Sequence, residues 1–155
     1  MYINHNTFQS FHLMNIMKKK LDKSKKAEII NQISLYLHQK YKEIITGYLF
    51  GSFITETSFA DIDVAVVTKT VPDNSLLFEL ELENRLEKIV RYPVDVRIIN
   101  QAPLSFCQNV IRHGKAIVDR EPNLRADFEN RILKQYFDFS PYRKRYLQEV
   151  SNAPI

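Results

Sequence analysis

Asp61-Ile62-Asp63-Val64-Ala65-Val66-Val67 is a β-branched, apolar run with two acids at its head. Side chains alternate along a strand, so Asp61 and Asp63 share one face about 6.5–7 Å apart at the backbone, and Ala65 and Val67 continue that face. A strand apolar on both faces belongs in the middle of a sheet. Two carboxylates about 5 Å apart repel by roughly 3 kcal/mol at an effective dielectric of about 20. A fold keeps such a pair where water or a cation offsets the charge, and hard divalent cations such as Mg²⁺ prefer carboxylate oxygen.

Working outward, Thr46 to Phe50 is a short apolar strand stopping at Gly51-Ser52, with eight residues between Ser52 and Asp61. The chain has 3 glycines in 155 residues, so each marks a place where the backbone bends sharply or approaches something closely. Gly51 allows that approach to a phosphate, and Ser52 offers a hydroxyl and opens a short helix whose N–H groups face an anion. Downstream, Val94-Asp95-Val96-Arg97-Ile98-Ile99 lies in a predicted strand from Pro93 to Ile99 and carries a third strand aspartate, a residue strands disfavour. If the two aspartate strands are neighbours, Asp61, Asp63 and Asp95 converge. Two cations about 3.5–4 Å apart could then clamp a triphosphate and an attacking oxygen for in-line displacement.

The remaining elements follow from periodicity. Lys25–Tyr41 reads as an amphipathic helix with Ile29, Ile30, Ile33, Leu37 and Tyr41 inward. Pro72-Asp73-Asn74-Ser75 is a turn and cap before a helix from Leu76 to Val90, with Leu76, Leu80, Leu86 and Ile89 expected on its inner side. Pro103–Arg112 is a helix ended by Gly114, Lys115–Val118 a strand, and Asn123–Phe139 a helix that Pro141 should separate from a last segment, Tyr142–Val150. The expected fold is α+β (mixed α/β), a small mixed sheet backed by helices with a helix at the C-terminus. Residues 23–150 form one domain in this reading, and 1–22 a disordered extension.

Composition narrows the function. The one cysteine, Cys107, allows no internal disulfide and no cysteine metal cluster, and it reads as a small buried apolar residue. No apolar run approaches the ~20 residues of a membrane span, and Met1–Met17 lacks the form of a secretory signal, so the expected location is cytoplasmic. The net charge of +4 suits a nucleotide triphosphate, but the lysine run and Arg143-Lys144-Arg145 read as solvated faces, and no direct nucleic-acid partner is expected. The histidines show no ligand spacing. Phe137, Phe139, Tyr142 and Tyr146 have two readings, a partner-binding patch or packing within the chain.

The order strand, Gly51-Ser52, Asp61-x-Asp63, then Asp95 in a later strand resembles the DNA polymerase beta-like nucleotidyltransferase superfamily. More closely, the chain is similar to the minimal nucleotidyltransferase antitoxins found beside HEPN ribonuclease toxins. That likeness runs from about Ile44 to Tyr146 and includes Ala102-Pro103-Leu104, Arg112-His113-Gly114-Lys115 and the tail Tyr136-Phe137-Asp138-Phe139-Ser140-Pro141-Tyr142. The resemblance implies metal-holding Asp61 and Asp63. It also implies that Asp95 shares a metal and helps deprotonate the acceptor, and that Gly51 and Ser52 bind the nucleotide phosphates. It further implies Mg²⁺, ATP as substrate, and AMP transfer to a tyrosine of a HEPN toxin that binds the chain as a hetero-oligomer. A phenol of pKa about 10 needs a base or metal beside it to attack at neutral pH.

One departure stands out. Where many relatives carry Arg and a second Gly after Gly-Ser, this chain has Phe53-Ile54-Thr55-Glu56. A weaker grip on triphosphate keeps open an inhibitor that works by stoichiometric binding. Nucleotide transfer to a small molecule is the third reading, although the residues after Pro122 are too few for the helical substrate domain such enzymes usually carry.

Overall fold

Strand β2 (Ile44–Phe50) and strand β4 (Ile62–Thr68) are buried along nearly their whole length, as their apolar composition requires, and they lie side by side in antiparallel pairing. They form the centre of a four-stranded sheet in the order β5-β4-β2-β6, with β5 at Val94–Ile98 parallel to β4 and β6 at Lys115–Asp119 antiparallel to β2. The computed structural model describes residues 18–152.

Alternation sends the two faces of the sheet to different helices. Leu49, Val64, Val66, Val94 and Val96 pack with Ile29, Ile33 and Leu37 of α1 (Lys23–Lys40) and with Leu82, Leu86 and Val90 of α3 (Ser75–Val90). Tyr48, Ala65 and Val67 pack on the other face with Cys107 and Val110 of α4 (Leu104–His113) and Phe128 and Ile132 of α5 (Pro122–Ser151). A single helical turn of 4 residues, α2 (Ser52–Thr55), links β2 to a two-residue strand β3 (Ser58–Phe59). The fold is therefore the mixed α/β arrangement expected, with helices on both faces of the sheet.

Local chemistry sets the element ends. The Asp22 carboxylate accepts the Lys25 N–H at 2.7 Å and caps α1. The Asn74 side chain does the same for Leu77 at 3.0 Å, so the turn before α3 is capped as the sequence suggests. Gly114 ends α4, donating its N–H to the Val110 carbonyl at 2.8 Å. Its φ is −78°, so glycine is needed there for space: a Cβ would meet the Val110 and Leu49 carbonyls at 2.5 and 3.1 Å.

Three expectations change. Within the extension expected to be disordered, Lys19–Lys20 form strand β1, which pairs with β3, Lys19 lies over the Tyr92 ring at 5.1 Å, and Asp22 is the cap just described. The expectation for Met1–Met17 lies outside the described residues. Pro141 does not break the C-terminal helix, which continues to Ser151. Proline inside a helix removes one backbone hydrogen bond, and the helix continues here all the same; Arg143 reaches back across it, donating to the Tyr136 hydroxyl at 3.2 Å and lying over its ring. Finally, Leu76 and Leu80 are not inward. They are 62% and 47% exposed, and the buried stripe of α3 is Leu82, Leu86 and Val90.

That rotation of α3 has a cause. Strand β5 is a sheet edge, and its outward N–H groups need partners. Glu87, Glu83 and Glu79 of α3 accept the N–H groups of Val94, Val96 and Ile98 at 3.0, 3.0 and 2.8 Å. Four helical residues rise about 6 Å and two strand residues about 6.6 Å, so glutamates spaced by four meet every second strand amide. Turning this face to the strand leaves Leu76 and Leu80 outside.

Candidate active site

The two aspartate strands are neighbours. Asp63 lies directly opposite Asp95 in the parallel β4–β5 ladder and opposite Phe50 in the β2–β4 ladder. Asp61 precedes β4 on the same side of the chain, and all three aspartates are half-buried. They stand on the sheet face that α4 and α5 cover, at its end, beyond the point where Phe106 packs edge-on against Phe50 at 5.5 Å.

Gly51 closes the arrangement from the side. Its φ of +70° and ψ of −161° lie in a region that L side chains essentially never occupy. A Cβ there would also collide with the Asp63 Oδ2 atom and stand 3.1 Å from its Cγ. Glycine is thus required twice, for backbone shape and for the close approach to a carboxylate. Ser52 follows as the first residue of α2, whose Ile54 and Thr55 N–H groups return to the Gly51 carbonyl at 3.2 and 3.1 Å. The five residues singled out in the sequence therefore sit around one strand end.

The charges there are not at rest. Burial, then the carboxylates of Asp61 and Asp95, push the Asp63 carboxyl up to about 6, against a small opposing effect of Arg97. A half-buried carboxylate facing two others, beside a backbone cradle that admits no side chain, suits a hard divalent cation with room for phosphate oxygens. Among the described residues, no group of three acidic, histidine or cysteine side chains is already drawn together as a ligand set. Asp95 is held by Arg97 instead, whose guanidinium lies 3.1 and 3.3 Å from its two oxygens. The residues fit a cation, with Asp95 turned to an internal one.

Arg97 and the glutamates of α3 went unrecognised in the sequence. Arg97 is two residues beyond Asp95 on one strand and so shares its face, a signal available from alternation alone. Glu79, Glu83 and Glu87 were legible as a four-residue repeat, but not their alignment with an edge strand. Glu83 also stands next to Asp95; its carboxyl is raised, first by burial and also by Asp95, while the Val96 N–H acts to lower it.

The altered loop after Ser52 is a packed unit. Phe53 is fully buried and stacks edge-on with Phe59 at 4.9 Å, and Lys26 caps the loop by donating to the Phe53 and Glu56 carbonyls at 2.8 Å each. The tail aromatics Phe137, Phe139, Tyr142 and Tyr146 are all exposed, at 61–69%, which removes the reading that they pack within the chain. Tyr136, Phe139, Tyr142 and Tyr146 line a cleft of about 480 Å³ against Leu104 at the start of α4.

Residues 31–123 match the family described as Polymerase beta, Nucleotidyltransferase. The chain belongs to this nucleotidyltransferase family. Solved structures give the same fold. A chain of the tri-AMPylated Shewanella oneidensis HEPN toxin in complex with MNT antitoxin aligns with a TM-score of 0.67 at 24% identity, covering 81% of this chain and 98% of that one. A chain of the toxin–antitoxin MntA-HepT aligns with a TM-score of 0.63 at 22% identity, covering 84% and 99%. A toxin–antitoxin structure with AMP-PNP gives 0.64 at 23% identity, covering 84% and 99%. Comparison with curated protein sequences returns no match. The family match spans Gly51, Ser52, Asp61, Asp63 and Asp95, and it ends just after the start of α5. Among the described residues, no helix of this nucleotidyltransferase is long and apolar enough to cross a membrane.

Proposed function

We propose that the chain is a Mg²⁺-dependent protein adenylyltransferase acting as an antitoxin, which transfers AMP from ATP to a tyrosine of a partner HEPN ribonuclease toxin in the cytoplasm. The observation that carries this reading is the register of Asp63 against Asp95, with Gly51 pressed on Asp63. Family membership supplies the reaction class. The likeness to a complex of an AMPylated HEPN toxin with an MNT antitoxin, and to a toxin–antitoxin structure with AMP-PNP, supports the substrate and the partner.

In this reading the working unit is a single domain, residues 23–150. Asp61, Asp63 and Asp95 hold the cation or cation pair, which when bound neutralises triphosphate charge and polarises the phosphorus under attack. Gly51 gives the phosphates access to the backbone, and Ser52 donates its hydroxyl to them. Asp95 accepts the proton of the acceptor phenol as its oxygen forms a bond to the α-phosphorus. The α–β phosphoanhydride bond breaks, and pyrophosphate leaves with the electron pair. The exposed aromatic tail of α5 is the surface offered to the toxin.

A second reading, neutralisation by binding alone, is favoured by one observation. The loop after Ser52 spends its nearest cation, Lys26, on its own carbonyls and presents Phe53 to the core. The two separate cleanly on nucleotide chemistry. With ATP and Mg²⁺, a small molar fraction of the chain should silence RNA cleavage by the toxin. α,β-Methylene-ATP, whose α–β link cannot be broken, should leave cleavage running at that ratio. Equal protection by both nucleotides would sink the transferase reading.

A further inference from the structure

The charged lining of the cleft beside Asp95 consists of Asp61, Glu79, Glu83, Glu87, Asp95 and Arg97, around a volume of about 310 Å³. Five are acids and one is a cation. The three glutamates are occupied by strand amides, so their charges are fixed in place by the fold. Arg97 answers two of the acids at once, with one nitrogen on Asp95 at 3.1 Å and the other 3.8 Å from Glu79. It stands across the β4–β5 ladder from Ala65, one strand step of two residues beyond the Asp63–Asp95 pair. Its side chain is 50% exposed, whereas that of Glu79 is 13% exposed, so the guanidinium has open space into which it can move.

We propose that Arg97 is a positioning residue, an internal counter-ion that holds Asp95 in the metal-free protein and competes with a divalent cation for it. One Arg97 nitrogen lies against both Asp95 oxygens, so a cation arriving at Asp61 and Asp63 must compete with that positive charge to recruit Asp95. A positive charge within about 4–6 Å of a carboxylate shifts its equilibria by tenfold or more, and the half-exposed setting puts this contact at the low end. Arg97 thereby keeps the apo site intact and makes closure of the ligand set depend on the incoming cation. This inference rests on the site reading above.

The test is a titration with Mn²⁺, followed by the electron paramagnetic resonance of the free ion, on wild type, Arg97→Gln, Arg97→Lys and Asp61→Asn. Arg97→Gln should bind Mn²⁺ about tenfold more tightly than wild type. Arg97→Lys keeps the charge without the planar fork and should fall between them. A residue that merely supported the fold would weaken binding when removed, so the sign decides. Unchanged or weaker binding by Arg97→Gln overturns the counter-ion role. Asp61→Asn reports on the site itself: if it binds Mn²⁺ as tightly as wild type, the cation site is misplaced and this inference falls with it. Loss of binding in Asp61→Asn with no gain in Arg97→Gln removes the inference alone.

Discussion

Asp63→Asn should abolish nucleotide transfer and, in the metal-free protein at neutral pH, raise the melting temperature. The loss follows from the ligand role, since a catalytic cation supplies several kcal/mol of transition-state stabilisation, or about 10³–10⁴-fold in rate. The gain follows from the charge. The carboxyl of Asp63 titrates near 6 in the fold instead of its ordinary 3.8, because burial and two neighbouring carboxylates penalise its ionised form. Between those values the folded state holds a proton that the unfolded chain has lost. This contribution is therefore absent as a penalty below about pH 4 and grows until pH passes 6, opposite in sign to an aspartate in an ion pair. Discounted for the half-exposed position, it costs about 1–2 kcal/mol at pH 7.5, or about 3–6 °C. Thermal melts of both proteins in chelator at pH 4 and pH 7.5 check this: the difference should appear only at the higher pH, and Mg²⁺ should stabilise wild type alone. A variant that melts lower at pH 7.5 while transferring nucleotide at the wild-type rate would contradict both halves.

Asp95→Ala separates chemistry from docking. The variant should transfer about 10²–10⁴-fold more slowly, the range for loss of a general base, with a further loss of cation binding. Affinity for the toxin should hold, because the partner surface in this account is the exposed aromatic face of α5, Phe137, Phe139, Tyr142 and Tyr146, none of which lines the cleft beside Asp95. Single-turnover transfer and an equilibrium binding measurement with the toxin, made on the same preparations, test the split. Loss of binding in step with loss of rate would place Asp95 in the interface instead.

How much of this was legible in the sequence depends on whether a feature is local. The aspartate strands could be read because alternation and β-branching are properties of a few consecutive residues. Their adjacency could not, since pairing of Asp63 with Asp95 is a fact of topology. The inner face of α3 was misread because its leucines make two helical stripes. Leu76 and Leu80 fit the period as well as Leu82 and Leu86 do, and the choice is made by glutamates reaching for strand amides that only the folded sheet presents. Pro141 is a similar case: its local meaning is a break, yet the helix continues through it with Arg143 contacting Tyr136 across it. Arg97 is a different case: alternation places it on the face of Asp95, but the contact itself depends on a side-chain conformation that only the folded sheet edge sets.

The central claim is that this chain modifies its partner covalently and in turnover. The most direct measurement is the intact mass of the toxin after incubation with a small molar fraction of the chain, ATP and Mg²⁺, followed by peptide mapping. The account predicts a toxin heavier by whole AMP units, carried on tyrosine, and no longer able to cleave RNA. A toxin of unchanged mass, silenced only when the chain is present at matching concentration, would contradict it.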